Sequence, residues 1–480
     1  MPTPSETLRA SGIQLARWIR DGDTTSVEVV DAHIAEVERV NPVINAVVHT
    51  RCDAAREEAA AADARLAAGT VDGPLHGVPC TIKECFAVQG MSWTSGHVPR
   101  KDVRAETDAV TVARLKGAGA IVLGVTNVSE LCMWLETNNR VYGRTNNPYN
   151  ADHIVGGSSG GEGAIVGSGA SPFGLGADVG GSIRMPAFFN GVFGHKPSGG
   201  IVPNSGQFPI AENEALRYLT TGPLARKAED LMPLLRILAG PDGEDAGCEE
   251  RELGDPGTVD ITALRVLDIP DDGRTSVHPE LRAAQRKVAD HLGGLGASVV
   301  REPIQSLRHG VEIWSAMLDA AGGTKFGTLL GSGQSVGLMR QMLLWALGRS
   351  PHTLPALGLA GIERLSGLTA GQLAKFVTMG QELRAELEER LGTDGVMLYP
   401  SFPEPAPRHY RPLLRPLRFG YTALLNVMQV PVTQVPLGLS TRGLPLGVQV
   451  VGAHGNDHMT IAVAEELERA FGGWVRPAVT

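Results

Sequence analysis

Two glycine–serine clusters, Gly156-Gly157-Ser158-Ser159-Gly160-Gly161 and Asp178-Val179-Gly180-Gly181-Ser182-Ile183-Arg184, constrain this chain more than anything else in it. Glycine admits positive φ and lets backbone amides approach a ligand closely, so each cluster sets a hydroxyl among N–H donors. That is a setting for nucleophilic attack. Alone, Gly156–Gly161 reads more readily as a flexible loop or a phosphate cradle. A serine hydroxyl also needs a base, and none of the thirteen histidines stands in a Gly-x-Ser-x-Gly elbow or another triad setting. A lysine fits better. Residues 73–84 hold a short apolar run bounded by Gly and Pro, the pattern of a buried strand, which ends on Lys83. Desolvation there favours the neutral amine, the form that can act as a base. The interval from Ser158 to Ser182, 24 residues, leaves room for one helix and one strand.

Together, Lys83, Gly-Gly-Ser158-Ser159-Gly-Gly and Asp-Val-Gly-Gly-Ser182-Ile-Arg resemble the amidase signature family of serine hydrolases. The resemblance covers most of the chain, from the helices before Lys83 to Asn426–Pro431 and Gly443–Gln449. Within the family, Met185–Ser198 and Asn127–Trp134 look most like the fatty-acid amide hydrolases, especially the second type. It implies an α/β fold, a central mixed twisted β-sheet covered by helices on both faces. It also implies hydrolysis of an amide C–N bond through an acyl-serine, with neither cofactor nor metal. Carried over by position, Ser182 is the nucleophile, Ser158 the bridging serine, Lys83 the terminal base, and the Gly157–Ser158 peptide is cis. The oxyanion would rest on the N–H groups of Val179, Gly180, Gly181 and Ser182. Asp178 and Arg184 are expected to hold the loop by an ion pair or hydrogen bonds. Ser159 would support the site by hydrogen bonds or cap the following helix, and its helix would add positive potential there. Cys132, Met133 and Trp134 are candidates for lining the substrate pocket, and His195 for a satisfied packing histidine.

The partner is then a small-molecule amide. A net charge of −9 and a pI near 5.8 give no electrostatic reason for nucleic-acid binding. Five scattered cysteines form neither a disulfide framework nor Cys-x-x-Cys zinc spacing. No charged-then-apolar leader and no run of eighteen apolar residues occurs, so the expectation is a reduced, cytoplasmic protein without stable membrane insertion. Peripheral bilayer contact through the amphipathic stretch Val336–Leu347, and a homodimer, stay open.

The motifs span residues 83–449, which argues for one amidase domain over 1–480. Helices are expected to about residue 70, an α/β core over about 71–300 and 395–480, and a helical elaboration over about 300–395. Helical spacing from Ser5 to Val40 predicts two amphipathic helices, the second capped by Thr25 or Ser26 and stopped by Asn41-Pro42. Arg51–Ala68, Thr107–Gly117, Ser159–Gly169, Pro279–Leu292, Glu382–Leu391 and Thr460–Phe471 read as helices. Ala120–Val125, Val266–Ile269, Gly395–Pro400, Thr433–Leu439 and Val448–Val451 read as strands, and Pro241–Asp260 as an exposed connection. Residues 313–368, rich in Leu, Met and Gly, either pack inward as a helical subdomain or cap a hydrophobic acyl channel. Two rival functions are the glutaminase component of a tRNA-dependent amidotransferase and a non-catalytic scaffold with the same fold.

Overall fold

The computed structural model describes residues 2–365 and 369–479, so the last three positions of the 313–368 segment lie outside the described residues. In chain order the strands are β1 (Val47–Thr50), β2 (Pro79–Lys83), β3 (Ile121–Thr126), β4 (Asn138–Asn139), β5 (Gly143–Arg144), β6 (Phe173–Asp178), β7 (Phe193–Lys196), β8 (Thr220–Ala225), β9 (Arg265–Asp268), β10 (Ser298–Val300), β11 (Gly395–Tyr399), β12 (Val432–Leu439) and β13 (Pro445–Gly452). Apart from the small β4–β5 hairpin they form one eleven-stranded sheet, ordered β1-β3-β2-β6-β8-β7-β12-β13-β11-β9-β10. The sheet is mixed. β3, β2 and β6 run parallel, as do β11, β9 and β10, while β8, β7, β12 and β13 are joined by antiparallel pairings.

Alternation along each strand divides the apolar side chains between two layers. On β11, Val396 and Leu398 join one buried cluster while Met397 and Tyr399 join another. On β3, Val122 and Val125 face the first layer, and Ile121 and Leu123 face helices Ser26–Ile44 and Gly160–Ser168. Helices thus cover both faces, and β2, β3, β6 and β11 are buried along their whole length. The helix and strand expected between Ser158 and Ser182 are Gly160–Ser168 and β6.

Asn41-Pro42 does not stop its helix, which starts at the Thr25 cap and runs to Ile44. Proline costs one hydrogen bond this close to the end, and Asn41 organises the exit instead. Its Oδ1 accepts from the Ala46 and Val47 amides, and its Nδ2 donates to the Val47 carbonyl, all at 2.8 Å. Asn45 closes the turn in the left-handed region, and the chain enters β1, an edge strand that the sequence pattern missed.

Between β10 and β11 lie helices Gly310–Ala320, Phe326–Leu330, Leu338–Ala346, Leu354–Leu365 and Ala370–Leu391. They divide two ways. Ile313 and Met317 are buried in the core layer, whereas Phe326, Leu330, Ala356 and Leu357 gather on Leu131 of the loop after β3. Leu338–Ala346 has no buried residue, and Met339 is 90% exposed. Among the described residues no helix is long and apolar enough to cross a membrane.

Candidate active site

Lys83 is the last residue of β2 and Asp178 the last of β6, so two parallel neighbours deliver them to the same sheet edge. Strand carboxyl ends are where open α/β sheets bind ligands. Lys83 is buried, and its Nζ donates to Ser158 Oγ at 2.8 Å and to the Ala177 carbonyl at 3.2 Å. The Gly157–Ser158 peptide is cis. Gly157 lies so close to the Trp134 carbonyl that an added Cβ would sit 2.2 Å from it, which explains the glycine before this serine. Ser159 N–H donates to the Ser182 carbonyl at 3.3 Å, drawing the two clusters together, and Ser182 is 7% exposed.

The helix after Ser159 behaves differently from expectation. Ser159 occupies the N-cap position without capping, and its hydroxyl instead donates to the Ala177 carbonyl at 3.2 Å. The Gly160 and Gly161 amides are taken up by Thr137 Oγ1 and the Asn127 carbonyl, at 3.1 Å each. The helix start is therefore satisfied by the 127–137 loop rather than aimed at a ligand. Beneath it, burial pushes the Glu162 carboxyl up to about 8, although the Thr81 and Thr126 hydroxyls donate to it.

Asp178 and Arg184 form the buried ion pair that holds the Ser182 loop. Arg184 Nε and Nη2 donate to the two Asp178 oxygens at 3.0 Å each, and both side chains are fully buried. Asp178 also accepts from the amides of Gly181 (2.6 Å) and Ile183 (3.0 Å). Burial alone would raise its pKa, but the Arg184 charge and these donors hold it well below the usual carboxylate range. Gly181 therefore drops out of the expected oxyanion donors, because its N–H is committed to Asp178. The amides of Val179, Gly180 and Ser182 have no such acceptor among the described residues.

Residues far along the chain complete the loop's surroundings, two of them, Asn426 and Gln449, in the C-terminal segments that carry the family resemblance. Arg184 reaches on to Gln449 Oε1 (2.9 Å) and Asn426 Oδ1 (2.6 Å), and Asn426 Nδ2 donates to the Asp178 carbonyl at 2.8 Å. Thr422 donates to the Gly180 carbonyl at 2.9 Å, and a Cβ on Gly181 would sit 2.1 Å from its hydroxyl. Trp314, from helix Gly310–Ala320, donates its indole N–H to the Val179 carbonyl at 2.8 Å and packs edge-on against Phe419. A side chain on Gly180 would point at Trp314, Phe419 and Ala423 from 3.6–3.9 Å, so an apolar wall faces this loop. The only sequence sign of Trp314 was its place in the apolar 313–368 stretch.

The three tentative lining residues diverge. Met133 packs on the helical elaboration, Trp134 on the core layer containing Phe188 and Phe189, and Cys132 on the opposite layer. Leu131 and Cys132 both have positive φ (53° and 58°), a strained turn that sets Cys132 near Cys85 and Ser158. Neighbouring Cys85 and the Lys83 charge pull the Cys132 thiol below its ordinary value against burial, while burial raises Cys85. His195 is a satisfied packing histidine, bonded to Thr433 Oγ1 (2.9 Å) and Asp457 Oδ1 (3.0 Å). All five cysteines are free.

A family profile described as Amidase matches residues 28–461. The chain is 46% identical to human fatty-acid amide hydrolase 2, over 99% of this chain and 92% of that one. The chain belongs to the amidase signature family. This amidase is 30% identical to a glutamyl-tRNA(Gln) amidotransferase component from Synechococcus sp. (strain CC9605), with 94% of each chain covered. In structure it resembles a bacterial aryl acylamidase of the amidase signature enzymes, with a TM-score of 0.79, 25% identity and 96% of both chains covered. It is a hydrolase of amide C–N bonds.

Replacing Arg184 by Met leaves the Asp178 charge buried and unpaired, so denaturant unfolding should register a loss of about 3–5 kcal/mol. Ser182→Ala, which removes no ion pair, should stay within about 1 kcal/mol of the parent. Because the Asp178 pKa is lower folded than unfolded, the stability it adds is present above about pH 4 and lost as pH falls further. Iodoacetamide should inactivate the amidase with a half-maximal rate below the ordinary thiol range, the direction in which Cys132 is shifted, and Cys132→Ser should abolish that sensitivity. A rate midpoint in the ordinary thiol range near 8.5 would contradict it.

Proposed function

We propose that this amidase hydrolyses amides of hydrophobic acids through a Ser182 acyl-enzyme, with Ser158 and Lys83 relaying the proton. The observation that carries the relay is the buried 2.8 Å contact from Lys83 Nζ to Ser158 Oγ, beside the loop that holds Ser182. In its neutral form Lys83 takes the Ser158 proton as Ser158 takes that of Ser182, whose oxygen attacks the carbonyl carbon. The oxyanion meets the amides of Val179, Gly180 and Ser182, and the relay returns the proton to the leaving nitrogen. Water then releases the acid. Ser182→Ala should abolish turnover and fluorophosphonate labelling, whereas Lys83→Ala and Ser158→Ala each lower kcat by several orders of magnitude. The double variant should be little worse than the worse single one, because members of one relay act as a unit. Near-normal turnover by Ser182→Ala would overturn the assignment.

The acyl preference rests on the wall of Trp314, Phe419 and Ala423 opposite Gly180. Trp314 belongs to the helical elaboration, which supports reading that segment as a cap on the acyl channel. The 46% identity to a fatty-acid amide hydrolase, against 30% to an amidotransferase component, favours a lipid or aryl amide over glutamine. Each methylene buried on the wall contributes up to ~0.8 kcal/mol, close to fourfold in kcat/KM. Across acyl p-nitroanilides, kcat/KM should rise from acetyl into medium chains and aryl acids, and Trp314→Ala should flatten the rise. A trend flat or falling in the parent enzyme would leave a general small-amide amidase.

A further inference from the structure

Away from the reacting groups, three side chains meet that nothing in the amide chemistry uses. His97, Glu130 and His352 are all buried, and one nitrogen or oxygen of each lies within 4.8 Å of the others. They come from three segments. His97 follows the Thr94-Ser95 turn, whose amides donate to Glu84 at 2.7 Å each, and Glu130 lies in the loop after β3. The Leu131 amide donates to the Ser95 carbonyl at 2.8 Å, so backbone contacts fix these two segments together. His352 stands just before helix Leu354–Leu365. Its ring lies nearly parallel to that of His97, 18° apart with centroids 5.8 Å distant.

In neither neutral tautomer does the His97 ring find a full set of protein partners among the described residues. Its Nε2 faces Ser332 Oγ at 3.3 Å, and its Nδ1 is buried without a partner among the described residues, 3.7 Å from Glu130 Oε1. If Nε2–H donates to Ser332, a bare Nδ1 lone pair confronts a carboxylate. If Ser332 donates instead, Nδ1–H points at an oxygen beyond the ~3.2 Å reach of a hydrogen bond. A cation resolves both cases, since two metal–ligand bonds of ~2.0–2.2 Å span up to ~4 Å. Glu130 is already oriented, with Oε1 taking the His352 Nδ1 contact (2.8 Å) and Oε2 the Thr353 amide (2.8 Å).

We propose that His97, Glu130 and His352 bind one divalent transition-metal ion, zinc by donor set, pinning the helical elaboration to the loop that carries Cys132. Two imidazoles and one carboxylate suit zinc, with water in the fourth position. Ligation through His352 Nδ1 requires its proton to sit on Nε2 and the 2.8 Å contact to Glu130 to widen by roughly half an ångström, toward a tetrahedral ligand separation. The ligands stand at 97, 130 and 352, far outside any short zinc motif, so sequence spacing could not reveal them.

The test uses untagged full-length protein, stripped with EDTA, incubated with Zn²⁺, desalted and measured by plasma mass spectrometry. One zinc per chain is expected, and Co²⁺ should give the intense visible absorption of a tetrahedral site. His97→Gln and Glu130→Gln should each weaken zinc binding by more than about 100-fold, beyond the 10–100-fold usual for groups that only orient ligands. Circular dichroism checks that each variant is folded. If neither folds, the wild-type stoichiometry and cobalt spectrum decide. Substoichiometric zinc, a pale octahedral cobalt spectrum, or folded variants that retain the metal would overturn the proposal.

Discussion

The buried pair of Asp178 and Arg184 is the constraint around which the catalytic region is organised. Two charges taken out of water are tolerated only when nearly every donor and acceptor is used. Arg184 donates to Asp178, Asn426 and Gln449, and Asp178 receives three amides of its own loop, those of Gly181, Ile183 and Arg184. Those demands dictate the shape of residues 178–184 and hold Ser182 beside Ser159. They also decide which amides of the loop are taken up by the carboxylate and which are left without a protein acceptor among the described residues.

A second dependence links the helical elaboration to the reacting end of the sheet. Trp314 anchors on the Val179 carbonyl from one side, and the Leu131–Cys132 turn lies under the Phe326–Leu357 cluster on the other. The shape of the apolar wall facing the Gly180 loop is thus set by residues far along the chain from the serines. Substitution in this segment can retune the apolar wall while the Lys83–Ser158 contact, seated on β2 and the helix Gly160–Ser168, stays as it is.

What the sequence made legible was local. Lys83 at a strand end, the two glycine–serine clusters, and the helix and strand between them all follow from short patterns whose physical meaning does not depend on distant partners. The misses are tertiary. Pro42 failed as a stop because Asn41 rebuilds the turn, and β1 and β10 are edge strands too short to carry an alternating pattern. Gly181 was counted as an oxyanion donor because sequence cannot say which amides a neighbouring carboxylate consumes. Trp314 and the His97–Glu130–His352 group are separated by tens to hundreds of residues from what they touch, and no spacing rule reaches so far.

The partners of Arg184 carry a consequence for how this enzyme comes into being. Asn426 and Gln449 lie 242 and 265 residues beyond it, so a chain emerging from the ribosome holds both serines long before it can close the ion-pair network around them. Folds rich in contacts of such long sequence separation fold more slowly than those built on local ones. The ion-pair network that shapes the Ser182 loop is therefore complete only once the chain has been made as far as Gln449.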